Sequence, residues 1–235
     1  MNRAGSPLPP DAAADLALPH PHPHPGWGTG TRVWLVRHAE VHPDWQGRAY
    51  GTLDVPLSAE GEERTREMGR DFGCLDLAVV ISSPLERAAR LGRAVAAGAG
   101  LAAIPEDGLR EIHRGRWEGL AVDELHARFP AEIDAFYADP WGWAGHGGEN
   151  DAAIAARAWP AVERAVQRTR GGTILAATHY NVIRVLVGCA LALPPGRTFA
   201  LRVDTGGAVL LVDAPGGWRL VHSNVPAPPA GGGAE

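Results

Sequence analysis

Two short stretches set imidazoles beside guanidiniums or polar residues at the ends of apolar runs. In "VWLVRHAE" four apolar residues lead into Arg37 and His38, and in "TILAATHYN" another such run ends at His179. A third run, "LDLAVVISSPLERAAR", leads into a helical segment bearing Arg87. A buried strand needs neither a cation nor an imidazole at its end, whereas a site that handles an anion there needs both. Guanidinium presents a planar fork of donors that matches phosphate oxygens and keeps its charge. A neutral imidazole is a competent nucleophile, and neighbouring cations favour the neutral form. Two imidazoles with two guanidiniums, and no metal, are equipment for phosphoryl transfer through histidine, with Arg37 and Arg87 gripping the transferring group.

Alternating strands and helices must position these groups. "RVWLVRH", "LDLAVVISSP" and "TILAATH" are short apolar runs of the kind buried parallel strands use. "LSAEGEERTREMGRDF" has Ser58 as N-cap with acids in the first turn, and "LERAARLGRAVAAGAG" is a helix closed by glycine. "AVDELHARFPAEIDAFYADP" is helical with an interruption at Pro130. "AAIAARAWPAVERAVQRTRGG" is helical with Pro160 as a kink or a joint between two helices. "NVIRVLVGCALAL" is a helix and "GAVLLVDAPGGWRLVHSN" a hairpin. The pattern predicts an α/β three-layer sandwich, a mostly parallel central sheet with helices on both faces. Ligands of such sheets sit beyond the carboxyl ends of the strands.

The bulk numbers fit this reading. The chain has 235 residues, is 45% hydrophobic and 21% charged, and carries a formal charge of −5. Its basic residues form no run, which argues against nucleic acid as a partner. No stretch is long and apolar enough for a membrane span, and no secretory signal is expected in the Pro- and Ala-rich opening. Cys74 and Cys189 are isolated, are read as lying in apolar surroundings, and suggest a reducing, cytoplasmic compartment. Residues 1–30, rich in Pro, Ala and Gly and containing His20, His22 and His24 in "HPHPHP", are expected to be a disordered tail, as are residues 225–235; the folded domain is placed at 31–224.

In order and spacing, "LVRHAE", "SSPLERA", "LREIHRGRWEGL", "GGEN" and "THYNVIRVL" resemble the motifs of the histidine phosphatase superfamily, whose fold is phosphoglycerate mutase-like. The resemblance covers roughly residues 32–212. It implies that His38 is the nucleophile that becomes phosphorylated, that Arg37 and Arg87 bind phosphate, that His179 is a second histidine of the phosphate pocket, and that Glu111 is the proton donor. Glu111 would hold its proton because the facing phosphate dianion repels a second negative charge. Neither a metal nor another cofactor is implied. Departures from the family pattern fall at Ala39, which replaces a glycine, and at Thr178, Tyr180 and Asn181, where "THYN" stands for "SHGG". The last two are expected beside the phosphate, and His42 is a candidate contact in place of the usual Trp-Asn pair.

Other residues have plainer readings. Glu118 is expected in packing and turn duties, Glu149 as a cap or loop organiser, and His113 and His126 as exposed positions. "DPWGWAGHGG" looks like a lid, and specificity is expected within 112–150. Without the longer basic stretch and the Pro-rich insertion of cofactor-dependent mutases, the chain looks like the phosphatase branch. Short stretches, "RAYGTLDVPLSAEG" and "WEGLAVDEL", are similar to alpha-ribazole phosphatases. The expectation is a metal-independent hydrolase of a small-molecule phosphate ester, monomeric or homodimeric. A mutase-type phosphotransferase and a non-catalytic phospho-ligand binder are the alternatives.

Overall fold

The computed structural model describes residues 30–229. The histidine-bearing tail expected at the start lies outside these residues, save for Gly30, as does the chain beyond 229. Four strands run parallel: β1 (Thr31–Arg37), β2 (Leu77–Ser82), β3 (Ala103–Pro105) and β4 (Thr173–Thr178). The hairpin β5 (Ala208–Ala214) and β6 (Gly217–Val225) joins them antiparallel through β5, giving the order β3-β2-β4-β1-β5-β6. The last strand extends to Val225, which pairs with Ala208.

Side-chain alternation along each strand feeds two cores. Trp34 and Val36 of β1, with Leu175 and Ala177 of β4, pack on Met68 and Phe72 of α1 (Ala59–Gly73) and on Leu91 and Val95 of α2 (Glu86–Gly98). Val33 and Leu35, with Ile174 and Ala176, face the other way onto Ile154 and Val162 of α5 (Asp151–Thr169) and Ile183 of α6 (Tyr180–Leu191). The expected three layers follow from this alternation, since each face buries its own apolar set.

The two prolines behave differently. Pro130 starts α4 (Pro130–Ala138) directly after α3 (Val122–Arg128), where its missing N–H costs nothing. Pro160 lies within α5, which runs unbroken as one helix rather than as two joined there. Pro160 is exposed, so water can satisfy the carbonyl that loses its partner. The junction of α5 and α6 is fastened by a buried bidentate pair, Arg184 Nη1 and Nη2 to Asp151 Oδ2 and Oδ1 at 2.6 and 2.7 Å. Cys74 is exposed at the end of α1, correcting its expected apolar setting, and Cys189 is half-buried. Among the described residues no helix is long and apolar enough to cross a membrane.

The chain from β1 turns to the α1 face, while that from the adjacent β4 turns to the α6 face. Neighbouring strands whose connections depart to opposite faces leave a crevice between them at their carboxyl ends. That crevice is where His38 and His179 emerge.

Candidate active site

The parallel register pairs Arg37 with Thr178, so the next residues, His38 and His179, leave the sheet side by side. The His38 amide donates to the Thr178 carbonyl at 3.1 Å, extending the ladder one residue past β1. Both imidazoles are buried, with ring centroids 5.1 Å apart. His38 Nδ1 lies 2.7 Å from the Ala39 carbonyl oxygen. A carbonyl only accepts, so this contact places the proton on Nδ1 and leaves Nε2 with a bare lone pair. His179 Nε2 is 2.8 Å from Ser83 Oγ, just past β2, and its Nδ1 has no partner.

Arg87 enters from the first turn of α2 and is 1% exposed. Its Nη1 and Nη2 donate to the Leu53 and Gly51 carbonyls, both at 2.7 Å, and its guanidinium stands 5.0 Å from the Tyr50 ring centroid. Gly51 is required there: its φ is +42°, and a Cβ would come within 2.5 Å of Glu118 Oε1. Arg37 donates from Nη1 to the Val203 carbonyl at 2.7 Å and lies over the Tyr180 ring, 5.4 Å from its centroid. The Nε atoms of both arginines are buried without a partner.

The electrostatics follow from this packing. Burial first, then the Arg87 and Arg37 guanidiniums, hold the His38 imidazole well below 6.5. Burial, Arg87 and the neighbouring His38 do the same to His179. The first turn of α6, begun by His179 as N-cap, has no side-chain cap and no acidic residue. Such a helix start offers unspent amides and the positive end of the dipole to an anion.

Glu111 is buried at 6% exposure, with Oε1 accepting from the Ile112 amide at 2.9 Å. Its segment is braced from three sides. Thr178 Oγ1 donates to the Leu109 carbonyl at 2.8 Å. Arg157 of α5 donates to the carbonyls of Gly108 and Arg110 at 2.7 Å and of Glu111 at 3.2 Å. Arg157 is itself held by Glu149, whose Oε2 also accepts from the His113 amide. Glu149 is therefore the loop organiser, while the cap of α5 is Asn150. Glu118 accepts from the Thr52 amide and hydroxyl and from the Arg114 amide, tying the loop that holds Arg87 to the segment that carries Glu111.

Four other expectations resolve as follows. His42 is exposed, and its Nδ1 faces Asp44 at the start of a 3₁₀ turn. His113 and His126 are exposed. Tyr180 supports Arg37 from below, and the Asn181 side chain accepts from Arg184 at 3.3 Å. The "DPWGWAGHGG" segment, expected as a lid, contributes no residue to the lining of the cavity described below and packs on the loop around Gly115. A Cβ on Gly115 would come within 2.2 Å of the His146 carbonyl, and one on Gly148 within 2.1 Å of the His113 carbonyl. Glycine at both positions lets the two loops lie backbone to backbone, with Trp143 and His146 packed on Trp117.

Next to these groups, sharing Tyr180 and Asn181 at the start of α6, lies a cavity of about 540 Å³ walled also by α3 and α4. Sequence reasoning missed Tyr50, Ser83, Arg114 and Arg157. Ser83, directly after the second apolar run, had a signal in its position; the others are fixed only by tertiary contacts.

The same architecture occurs in solved structures. The native structure of mycobacterial glucosyl-3-phosphoglycerate phosphatase superposes with a TM-score of 0.75 and 26% identity, covering 83% of this chain and 98% of that one. Bacillus stearothermophilus YhfR superposes at 0.76 and 27%, with the same coverage. A putative alpha-ribazole-5'-P phosphatase from Escherichia coli, at 24% identity and a TM-score of 0.74 over 84% of this chain and 98% of that one, shares the fold. The chain belongs to the histidine phosphatase superfamily (branch 1), whose family model matches residues 33–226. Phosphoserine phosphatase 1 of Hydrogenobacter thermophilus is 31% identical over 67% of this chain and 74% of its own length. Glucosyl-3-phosphoglycerate phosphatase of Mycolicibacterium vanbaalenii is 31% identical over 69% and 75%.

Proposed function

We propose that the protein hydrolyses phosphate monoesters of small molecules in two in-line steps through a phosphorylated His38. The observation that carries this reading is the set of unspent buried nitrogens around His38: Arg37 Nε, Arg87 Nε and His179 Nδ1. Leaving such groups unpaired in a protein interior is costly, and an anion bound between them removes that cost.

In the first step the His38 Nε2 lone pair attacks phosphorus. The P–N bond forms as the P–O bond to the alcohol breaks, and Glu111 gives its proton to the departing oxygen. Arg37, Arg87 and the first amides of α6 offset charge on the equatorial oxygens. In the second step water attacks phosphorus from the vacated side. Glu111 takes a proton from that water, and His38 Nε2 leaves as the neutral imidazole, Nδ1 keeping its proton on the Ala39 carbonyl. The positive charge comes from arginines, so no metal takes part. Relatives named as phosphatases for phosphoserine and for glucosyl-3-phosphoglycerate favour hydrolysis over mutase-type transfer. Two unpaired cysteines fit a cytoplasmic setting, with a small ester rather than nucleic acid as the partner and a monomer or homodimer as the working unit.

Rapid quenching of turnover into base preserves phosphohistidine. A single phosphate on the peptide containing His38 is expected, lost together with turnover in His38→Ala and unmoved in the slow His179→Ala variant. An adduct on His179, or full activity of His38→Ala, overturns the assignment.

A further inference from the structure

Arg114 is used by nothing described so far. It stands three residues after Glu111, half-buried, with its guanidinium 5.2 Å from the Phe136 ring centroid. Among the described residues its side chain has no hydrogen-bond acceptor and no carboxylate within ion-pair distance; only its amide is engaged, by Glu118. Every other arginine in and behind the site donates from its side chain to at least one carbonyl or carboxylate: Arg37, Arg87, Arg157 and Arg184. A half-buried guanidinium on a cavity wall, engaged by no acceptor and no carboxylate of the protein, is free to receive an anion from the cavity.

Its surroundings say where that anion sits. Arg114 lines the cavity of about 540 Å³, together with Arg48 and the rings of Phe136, Tyr137, Tyr180 and Phe199. None of the lining residues is acidic. Arg48 adds a second guanidinium at the rim, held through the Asp44 and Gly119 carbonyls, not through a carboxylate. The acid whose charge acts most on the Arg114 guanidinium is Glu111, which marks the leaving-group side of the proposed reaction. Tyr180, shared with the floor beneath Arg37, joins the cavity to the phosphate crevice.

We infer that the cavity takes the alcohol part of the substrate and that Arg114 reads a second negative charge on it, so the preferred substrates are phosphate monoesters of bulky, apolar or aromatic alcohols that carry a carboxylate. The inference rests on the phosphatase reading above and adds the substrate class. The aromatic walls hold the hydrocarbon by burial, and the half-buried guanidinium pairs with the carboxylate. Arg114 is thus a specificity residue distinct from the groups that handle phosphorus.

The test compares 4-carboxyphenyl phosphate with its neutral carboxamide, 4-carbamoylphenyl phosphate. The wild-type protein should favour the carboxylate in KM on the order of 10- to 100-fold, as a charge-assisted pair predicts. Arg114→Met should lose that preference while turning over the carboxamide within about threefold of wild type, and Arg114→Lys should keep part of it. Methionine keeps the packing on Phe136, and the cation it removes is paired with no carboxylate, so the melting temperature of the empty protein should stay nearly unchanged. The inference is overturned by equal KM values in the wild type, by Arg114→Met slowing both esters alike, or by a markedly lower melting temperature in that variant. Direct binding of both esters to His38→Ala protein separates the two readings. If no ester is turned over, the phosphatase reading fails, and the charge preference in binding still decides the role of Arg114.

Discussion

His38 and His179 each follow by one residue a member of the register pair Arg37–Thr178, and their rings stand 5.1 Å apart. Two imidazoles that close in a dry crevice with two guanidiniums cannot both be cationic. Burial and Arg87 depress both, so the pair is neutral where an ordinary histidine is already half-protonated.

The first prediction is therefore one of pH. An NMR titration of labelled imidazole should place the His38 and His179 midpoints below 6.5, and Arg87→Met should raise both. Below 6.5 the unfolded chain takes up protons that the folded pair refuses, so stability is full above that pH and is lost as pH falls through the window down to the folded values. Each histidine contributes a slope of about 1.4 kcal/mol per pH unit inside the window. Denaturant unfolding of the wild type and of a His38→Gln/His179→Gln protein should show the shallower slope in the variant. Ordinary midpoints in the wild type would remove the electrostatic basis of the proposed nucleophile.

Arg87→Lys probes geometry at constant charge. One ammonium cannot donate to the Gly51 and Leu53 carbonyls and still face a phosphate as a planar fork. Loss of a preorganised donor of this kind costs roughly 10²- to 10³-fold in kcat. Steady-state kinetics showing near-wild-type efficiency would take Arg87 out of the phosphate cradle.

Arg157 acts at one remove, through the carbonyls that fix the Glu111 segment. Arg157→Met should slow esters of poor leaving groups by roughly tenfold while sparing activated aryl phosphates, because only the former need a proton delivered on time. The readout is the dependence of kcat on leaving-group pKa, which should steepen. A uniform loss across the series would mean that Arg157 supports the fold and not the acid.

The central strands and their terminal residues were legible because a parallel strand buried on both faces must be a continuous apolar run. A polar residue closing such a run therefore stands out, as His38 and His179 do; Ser83 carries the same positional signal, though its role beside His179 went unread. β3 is only three residues with two of them exposed, so it carries little pattern. The glycine-rich stretch around Trp143 misled for a physical reason. Composition cannot separate glycines that loosen a loop from Gly115 and Gly148, which let two backbones touch. Arg114 and Arg157 look alike as letters. One is fully spent on three carbonyls and a carboxylate and the other on nothing, a difference that resides entirely in tertiary packing.

The β1–β4 pairing also has a consequence for the order in which the protein comes into being. More than half of the described chain lies between the two strands, so the loop that must close before His38 meets His179 is among the longest the fold contains. During synthesis the amino-terminal half can assemble α1 and α2 on β2, with Arg87 in place, and still hold only half of the histidine pair. Enzymatic competence then arrives as a single late event, when the last parallel strand slides between β1 and β2. A truncated or arrested product that stops short of Thr173 lacks His179 and the completed crevice, whatever its other elements have achieved.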